Sequence, residues 1–283
     1  MTPGAQLWRD AVESLVLFAI APAGTGLRLN SGPGAARDEW LSSLREVLPR
    51  RTPVVRVPNA VSEERLLGGL DLAATLKSRR PITQRGLIAE ADRGILLVSM
   101  AERITGDIAA PLAAVLDGGG LHVARTGSPD WTESHAGLVL LDESLADENG
   151  PPAMLLERCA YWVSLEGVSL RDLFAEAADP DTVAEARALY PEVTAGQDLI
   201  EVLLGAAARL GIHSSRTDLQ ALRAARAAAA IAGRTSVARE DIETAIRLVL
   251  APRALLCPEP WQPEPQPPEA GDGDRQDGDR PDP

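Results

Sequence analysis

The sequence predicts an α/β fold with a parallel sheet, followed by a small helical bundle and a disordered acidic tail. Three observations predict it. Short apolar runs bounded by glycine or proline alternate with segments of helical periodicity through residue 168, the pattern of strands and crossover helices in a parallel sheet. Strand signals cease at Ser169, after which apolar residues recur only at helical spacing, to about residue 257. From Pro258 the chain turns to Pro, Glu, Asp and Gly with Trp261 as its one aromatic, too little apolar area to offset the entropy of ordering it. The expected organisation is an α/β domain over 1–168, a helical domain over 169–257 and a tail over 258–283.

Each element has a local reason. Trp8, Val12, Leu15, Val16 and Ala19 share a helical face within residues 5–20, and Pro22, Gly24 and Gly26 end that helix. Residues 27–48 read as strand (Leu27, Leu29), tight loop (Ser31, Gly32, Pro33, Gly34) and amphipathic helix with Trp40, Leu41, Leu44, Val47 and Leu48 on one face. Pro49 stops the helix, Val54, Val55 and Val57 make a second strand, and Ser62 caps a short helix with Glu63 and Glu64 in its first turn. Residues 71–86 are expected to be irregular or hairpin-like, with a brief helix from Leu87 to Ala91. Ile95 to Val98 lacks polar alternation and reads as a buried central strand of a parallel sheet. A helix over 108–116, a triple-glycine turn at 118–120, a polar hairpin around His122 to Trp131 and a strand from Gly137 to Leu141 follow. Pro151 and Pro152 open a helix expected to run to Ala160, and a last strand holds Val163 and Leu165. Leu170, Leu173 and Phe174, then 183–189, 199–210, 219–231 and 242–249, form the bundle.

A formal charge of -13 argues against nucleic acid or an anionic membrane as principal partner. Lys77 is the only lysine, so cationic chemistry falls to arginine. Cys159 and Cys257 are far apart, and neither a disulfide framework nor a metal site is indicated. No apolar run is long enough to cross a bilayer and no N-terminal leader is recognisable, which together lead us to expect a cytoplasmic protein.

The strand-loop-helix over 27–48 has the shape of a phosphate-binding loop, and it also fits an ordinary strand-to-helix turn. In G-x-x-x-x-G-K-[ST], backbone N–H groups cradle phosphate, the lysine reaches the terminal phosphates and the hydroxyl holds Mg²⁺. Here the last four places are Ala35, Ala36, Arg37 and Asp38, so a glycine is lost, the lysine is an arginine and the hydroxyl is a carboxylate that repels phosphate. The three histidines, His122, His135 and His213, are scattered and read as surface polar groups.

A vestigial phosphate loop, an α/β sheet and a helical lid resemble an AAA+ module. The segments LLGGLDLAATL (66–76), GLIAEADRGILLVSMAERI (86–104), GLVLLDES (137–144), PPAMLLERCAYWVSLEGV (151–168) and RAARAAAAIAGRTSVAREDI (223–242) resemble, in order, the AAA+ half of the magnesium chelatase D-subunit family. The resemblance covers about residues 5–253, and the tail resembles that family's linker to an integrin-type metal-binding domain, whose Asp-x-Ser-x-Ser signature is not in this sequence. It implies an AAA+ subunit that does not hydrolyse ATP itself. Such a subunit assembles with the ATP-hydrolysing I subunit and a porphyrin-binding H subunit, and ATP and Mg²⁺ act at the level of the complex. The product would be magnesium protoporphyrin IX, for chlorophyll or bacteriochlorophyll. The alternative is a MoxR-like ATPase that remodels a protein partner.

Carried over residue by residue, the resemblance places the degenerate phosphate loop at Gly32, Gly34, Arg37 and Asp38, with Ser99 and Met100 where an active module has Asp and Glu. Asp142 falls in the sensor 1 region, Glu102 near the missing acid, and Arg216 and Arg223 in the sensor 2 region. Arg158 falls at the arginine finger, which would act in trans on a neighbour's nucleotide.

Overall fold

A computed structural model describes residues 2–256 apart from 71, 81, 126, 127, 146, 147 and 174–178. The chain opens with α1 (Pro3–Ile20), capped by the Thr2 hydroxyl, then β1 (Gly26–Asn30), α2 (Ala35–Val47) and β2 (Val54–Val57). Next come α3 (Glu63–Leu67), β3 (Gly68–Leu70), α4 (Leu72–Ser78), β4 (Thr83–Arg85), α5 (Leu87–Glu90) and β5 (Ile95–Val98). The Ser62 hydroxyl accepts from Arg65 N and caps α3 as expected. The α/β part continues through α6 (Gly106–Gly118), the β6 (Gly120–Arg125) and β7 (Ser128–Glu133) hairpin, β8 (Gly137–Asp142), α7 (Ala153–Leu156) and β9 (Cys159–Ser164). The helices α8 (Pro180–Leu189), α9 (Gln197–Arg209), α10 (Ser215–Ile231) and α11 (Arg239–Ala245) follow.

All five strands of the main sheet are parallel, in the order β2-β5-β8-β1-β9. The strands therefore share one C-terminal edge, where β1 runs into the loop at 31–34, and one N-terminal edge, where β9 begins. Alternate residues face opposite layers. Leu27, Leu29, Ile95, Leu97, Val139 and Leu141 pack into a core that includes α1, α2 and the bundle helices. Leu96, Val98, Leu138 and Leu140 face α3, α5, α6 and α7. The helical bundle thus shares one core with the sheet rather than standing apart. Arg187 of α8 donates to Ala19 O at 2.8 Å and Val47 O at 3.2 Å, and Arg247 pairs with Asp10 and Glu13 of α1.

Two expectations need correction. Within 71–86 the chain forms a helix, α4, because LAATLKS contains good helix formers and no breaker, and then β4, which pairs antiparallel with the preceding β3. The helix expected to reach Ala160 stops at Leu156, and Cys159 begins β9, since the aromatic and branched run Tyr161, Trp162, Val163 pairs with β1. The strand Ile95–Val98 is interior, paired in parallel on both sides and fully buried, as its unbroken apolar run predicts. Phe174, Cys257 and the tail with Trp261 lie outside the described residues. No helix among the described residues is long and apolar enough to cross a membrane.

Candidate functional site

The C-terminal edge carries the loop. Residues 31–37 with Leu165, Val168 and Leu170 line a cleft of about 290 Å³, at the bottom of the range of roughly 300–1,000 Å³ typical of ligand sites. Residues 31–34 include no left-handed backbone, so the loop lacks the alternating right- and left-handed curl from which a nest of N–H groups is built. Gly32 and Gly34 face open space. Asp38 lies exposed in the first turn of α2, where the helix dipole favours its charge.

Arg37 does not reach free into this cleft. Its Nη1 donates to Glu143 Oε1 at 2.6 Å, with the two side chains 15% and 26% exposed. Its Nε is buried without a partner. Glu143 is held in turn, its N–H donating to Glu102 Oε2 at 3.1 Å. Glu102 therefore does come to this edge, but as a brace for the strand end. Asp142 is fully buried and committed internally: Arg28 Nη2 lies 2.6 Å from Oδ2, and the Ser144 hydroxyl donates to Oδ1 at 2.7 Å. Ser99 and Met100 follow β5, with Met100 in the left-handed region at φ 49°. Neither side chain supplies a carboxylate, and no cluster of metal-ligating groups occurs among the described residues. These residues do not fit a magnesium nucleotide in the chain's own site.

The N-terminal edge is arranged differently. Arg158 precedes β9, and its Nε donates to Asp117 Oδ2 at 3.0 Å; its Nη2 donates to the same oxygen, and its Nη1 to Met154 O at 2.6 Å. Arg216, in the first turn of α10, donates to the other oxygen, Asp117 Oδ1, at 2.6 Å. Arg223, two turns on, approaches Gly24 O at 3.4 Å. Burial alone would raise the Asp117 pKa, but the two arginines prevail and hold it below the ordinary carboxylate value. Asp117 was missed from sequence, although an acid in the last turn of a helix, against the dipole, is itself a signal of cationic partners.

The two edges are separated by the length of β1, five residues or roughly 13 Å of rise. Arg216 and Arg223 therefore do not face the chain's own loop. They stand with Arg158, because the bundle packs against α1 and β9 and Gln220 Nε2 donates to Glu157 O at 3.0 Å.

Trp162 and the end of the bundle close this side. Arg253 lies 4.7 Å from the Trp162 ring and Arg28 5.7 Å. Arg253 also donates to Ala160 O at 2.9 Å, and burial lowers its pKa to about 10. Cys159 is buried, and desolvation pushes its thiol up to about 12.

Residues 201–272 match the AAA lid domain family. The magnesium-chelatase 60 kDa subunit of Cereibacter sphaeroides is 37% identical over 253 residues, covering 89% of this chain and 42% of the relative. The chain belongs to the magnesium-chelatase subunit family. It spans less than half the length of that 60 kDa relative. The family's 38 kDa subunit from Rhodobacter capsulatus is also similar, 28% identical over 76% of this chain and 68% of its own length. A solved structure from Cytophaga hutchinsonii described as an ATPase superposes with a TM-score of 0.59 at 14% identity, covering 87% of this chain and 86% of that one. That likeness speaks for the fold, an AAA-type sheet with its helical lid.

Proposed function

We propose that this chain is the AAA+ portion of a magnesium-chelatase D-type subunit that has given up nucleotide hydrolysis in its own site and serves a neighbour's. The observation that carries the reading is the contrast between the two edges. At the loop, the arginine in the lysine's place is neutralised by Glu143, and Ser99 and Met100 offer neither a metal anchor nor an acceptor for the proton of an attacking water. At the opposite edge, Arg158 and Arg216 are retained side by side. An arginine acts in trans by placing its planar fork against the transferring phosphoryl group, stabilising charge that grows in the transition state.

The complex this implies joins the chain with an ATP-hydrolysing I subunit in a hetero-oligomeric ring and with a porphyrin-binding H subunit. ATP and Mg²⁺ are used at the level of the assembly, and a second magnesium ion is the substrate inserted into protoporphyrin IX. We place it in the cytoplasm. Nothing observed favours the MoxR-like alternative over the chelatase reading.

The test is reconstitution with an I subunit. Arg158→Ala should leave this chain folded and able to assemble, yet lower ATP turnover and chelation by the mixture, since finger arginines supply roughly 10³–10⁵ in rate at the sites they serve. Arg158→Lys should not restore full rate, because an ammonium cannot span two oxygens. Wild-type turnover by an assembled Arg158→Ala complex would overturn the proposal.

A further inference from the structure

We propose that Asp117 stows the two edge arginines in the unassembled chain, so that Arg158 and Arg216 become available only by exchange of this carboxylate for a more highly charged anion, the terminal phosphates of a nucleotide held by a neighbouring subunit. The proposal rests on the in-trans reading of Arg158. Its starting point is how completely that side chain is occupied. All three guanidinium nitrogens of Arg158 are engaged, Nε and Nη2 by Asp117 Oδ2 and Nη1 by Met154 O, and the side chain is 15% exposed. A finger in this state cannot reach outward.

The stowing group is shared. Asp117 gives one oxygen to Arg158 of the α/β part and the other to Arg216 of the lid, 2.6 Å away, so one carboxylate ties the two arginines into a single unit. Arg216 is 42% exposed and Asp117 36%, which leaves the outer side of the unit open to solvent. Two guanidinium charges face one carboxylate, leaving an excess positive charge. Asp117 also sits in the last turn of α6, where the helix dipole disfavours an anion. The carboxylate is therefore held by the arginines and not by its own helix. The Arg216–Asp117 pair is exposed, and exposed ion pairs are weak and screened by salt, so the unit can open from that side. Phosphate offers more charge and a bidentate geometry that suits arginine.

Asp117→Asn removes the stowing charge while keeping the side chain's shape. The probe is inorganic tripolyphosphate, titrated calorimetrically into the isolated chain at low and moderate salt. Asp117→Asn should bind it roughly two- to fivefold more tightly than wild type, with a steeper loss on adding salt. The gain should vanish in Asp117→Asn/Arg158→Ala and shrink in Asp117→Asn/Arg216→Ala. Equal or weaker binding by Asp117→Asn overturns the proposal, as does a gain that survives Arg158→Ala, which would place the anion elsewhere. Asp117→Ser is the second variant; if both substitutions unfold the chain, Asp117 is an anchor of the fold and not a release point, and the proposal fails. No I subunit enters this measurement, so its failure is distinct from failure of the in-trans assay.

Discussion

A double-mutant cycle on Arg37 and Glu143 measures how firmly the arginine beside the glycine loop is tied down. Arg37→Met keeps most of the aliphatic stem and Glu143→Gln keeps the shape of the carboxylate, so the cycle isolates the charge pair. At 2.6 Å and an effective dielectric of about 20, the direct attraction is about 6 kcal/mol. Desolvation offsets most of that, because Arg37 is 15% and Glu143 26% exposed. A charge-assisted hydrogen bond of this burial should couple the residues by about 1–2 kcal/mol. Glu143→Gln alone should cost at least as much as Arg37→Met, since it leaves a guanidinium whose Nε already lacks a partner. The assay is urea unfolding of the wild type, both single variants and the double variant, with the midpoint read at fixed slope. Thermal midpoints should fall by roughly 2–8 °C in the Glu143 variant. A coupling below about 0.5 kcal/mol, within the scatter of independent sites, would refute a latched loop and leave Arg37 an ordinary surface arginine.

Other expected outcomes follow from the same geometry. The isolated chain should show no ATP turnover above background in a coupled phosphate-release assay; turnover abolished by Arg37→Ala would contradict this. Trp40→Ala should cost about 3–5 kcal/mol, since the indole is fully buried and its Nε1 donates to Ala11 O at 3.0 Å; unfolding midpoints check it. Gly26→Ala should cost about 1–3 kcal/mol and disturb the Arg158 edge, because a Cβ there would stand 2.8 Å from Arg158 O. Cys159 should resist maleimide at pH 8, read by mass mapping, because its thiol is buried with a pKa of about 12. The depressed Asp117 carboxyl contributes stability above its unfolded value and loses it as pH falls through the lower folded value. The difference between wild type and Asp117→Asn should therefore stay level from pH 7 to about 5 and collapse below about 4.

The elements read best from sequence were those in which one short-range signal decided the outcome. Proline and glycine bounded α2, the Ser62 hydroxyl marked the start of α3, and the apolar run at Ile95 had to be buried on both faces. Sequence failed where pairing overrode local pattern. By spacing Cys159 and Ala160 read as the end of a helix, and the ladder to β1 makes them the start of a strand. The site divided in the same way. On the proposed reading, the loss of chemistry at Arg37, Asp38, Ser99 and Met100 is legible from residue type alone. The partners Glu143 and Asp117 were not legible, because each meets its arginine across about a hundred or forty residues of chain, 106 and 41 respectively. The position of Arg216 beside Arg158 was not legible either, because the lid's packing brings them together and periodicity does not encode packing.

That division by edge bears on how such a subunit can work. In a parallel sheet, the end of β1 and the start of β9 lie at opposite edges although the two strands are neighbours. On the proposed reading, the loop residues and the residues that serve a neighbour are then far enough apart to change independently, and among the described residues Arg37, Ser99 and Met100 share no hydrogen-bonded partner with Arg158. On the ring reading, a chain of this kind contributes one silent interface and one productive interface. Its arginine edge matters only where the adjoining subunit has an intact phosphate loop. Loss of Arg158 should then remove turnover at those interfaces alone, so the defect in a mixed assembly should level off at the fraction of sites this chain faces, however much of the variant is added. An I subunit's own sites, served by other I subunits, would account for what remains.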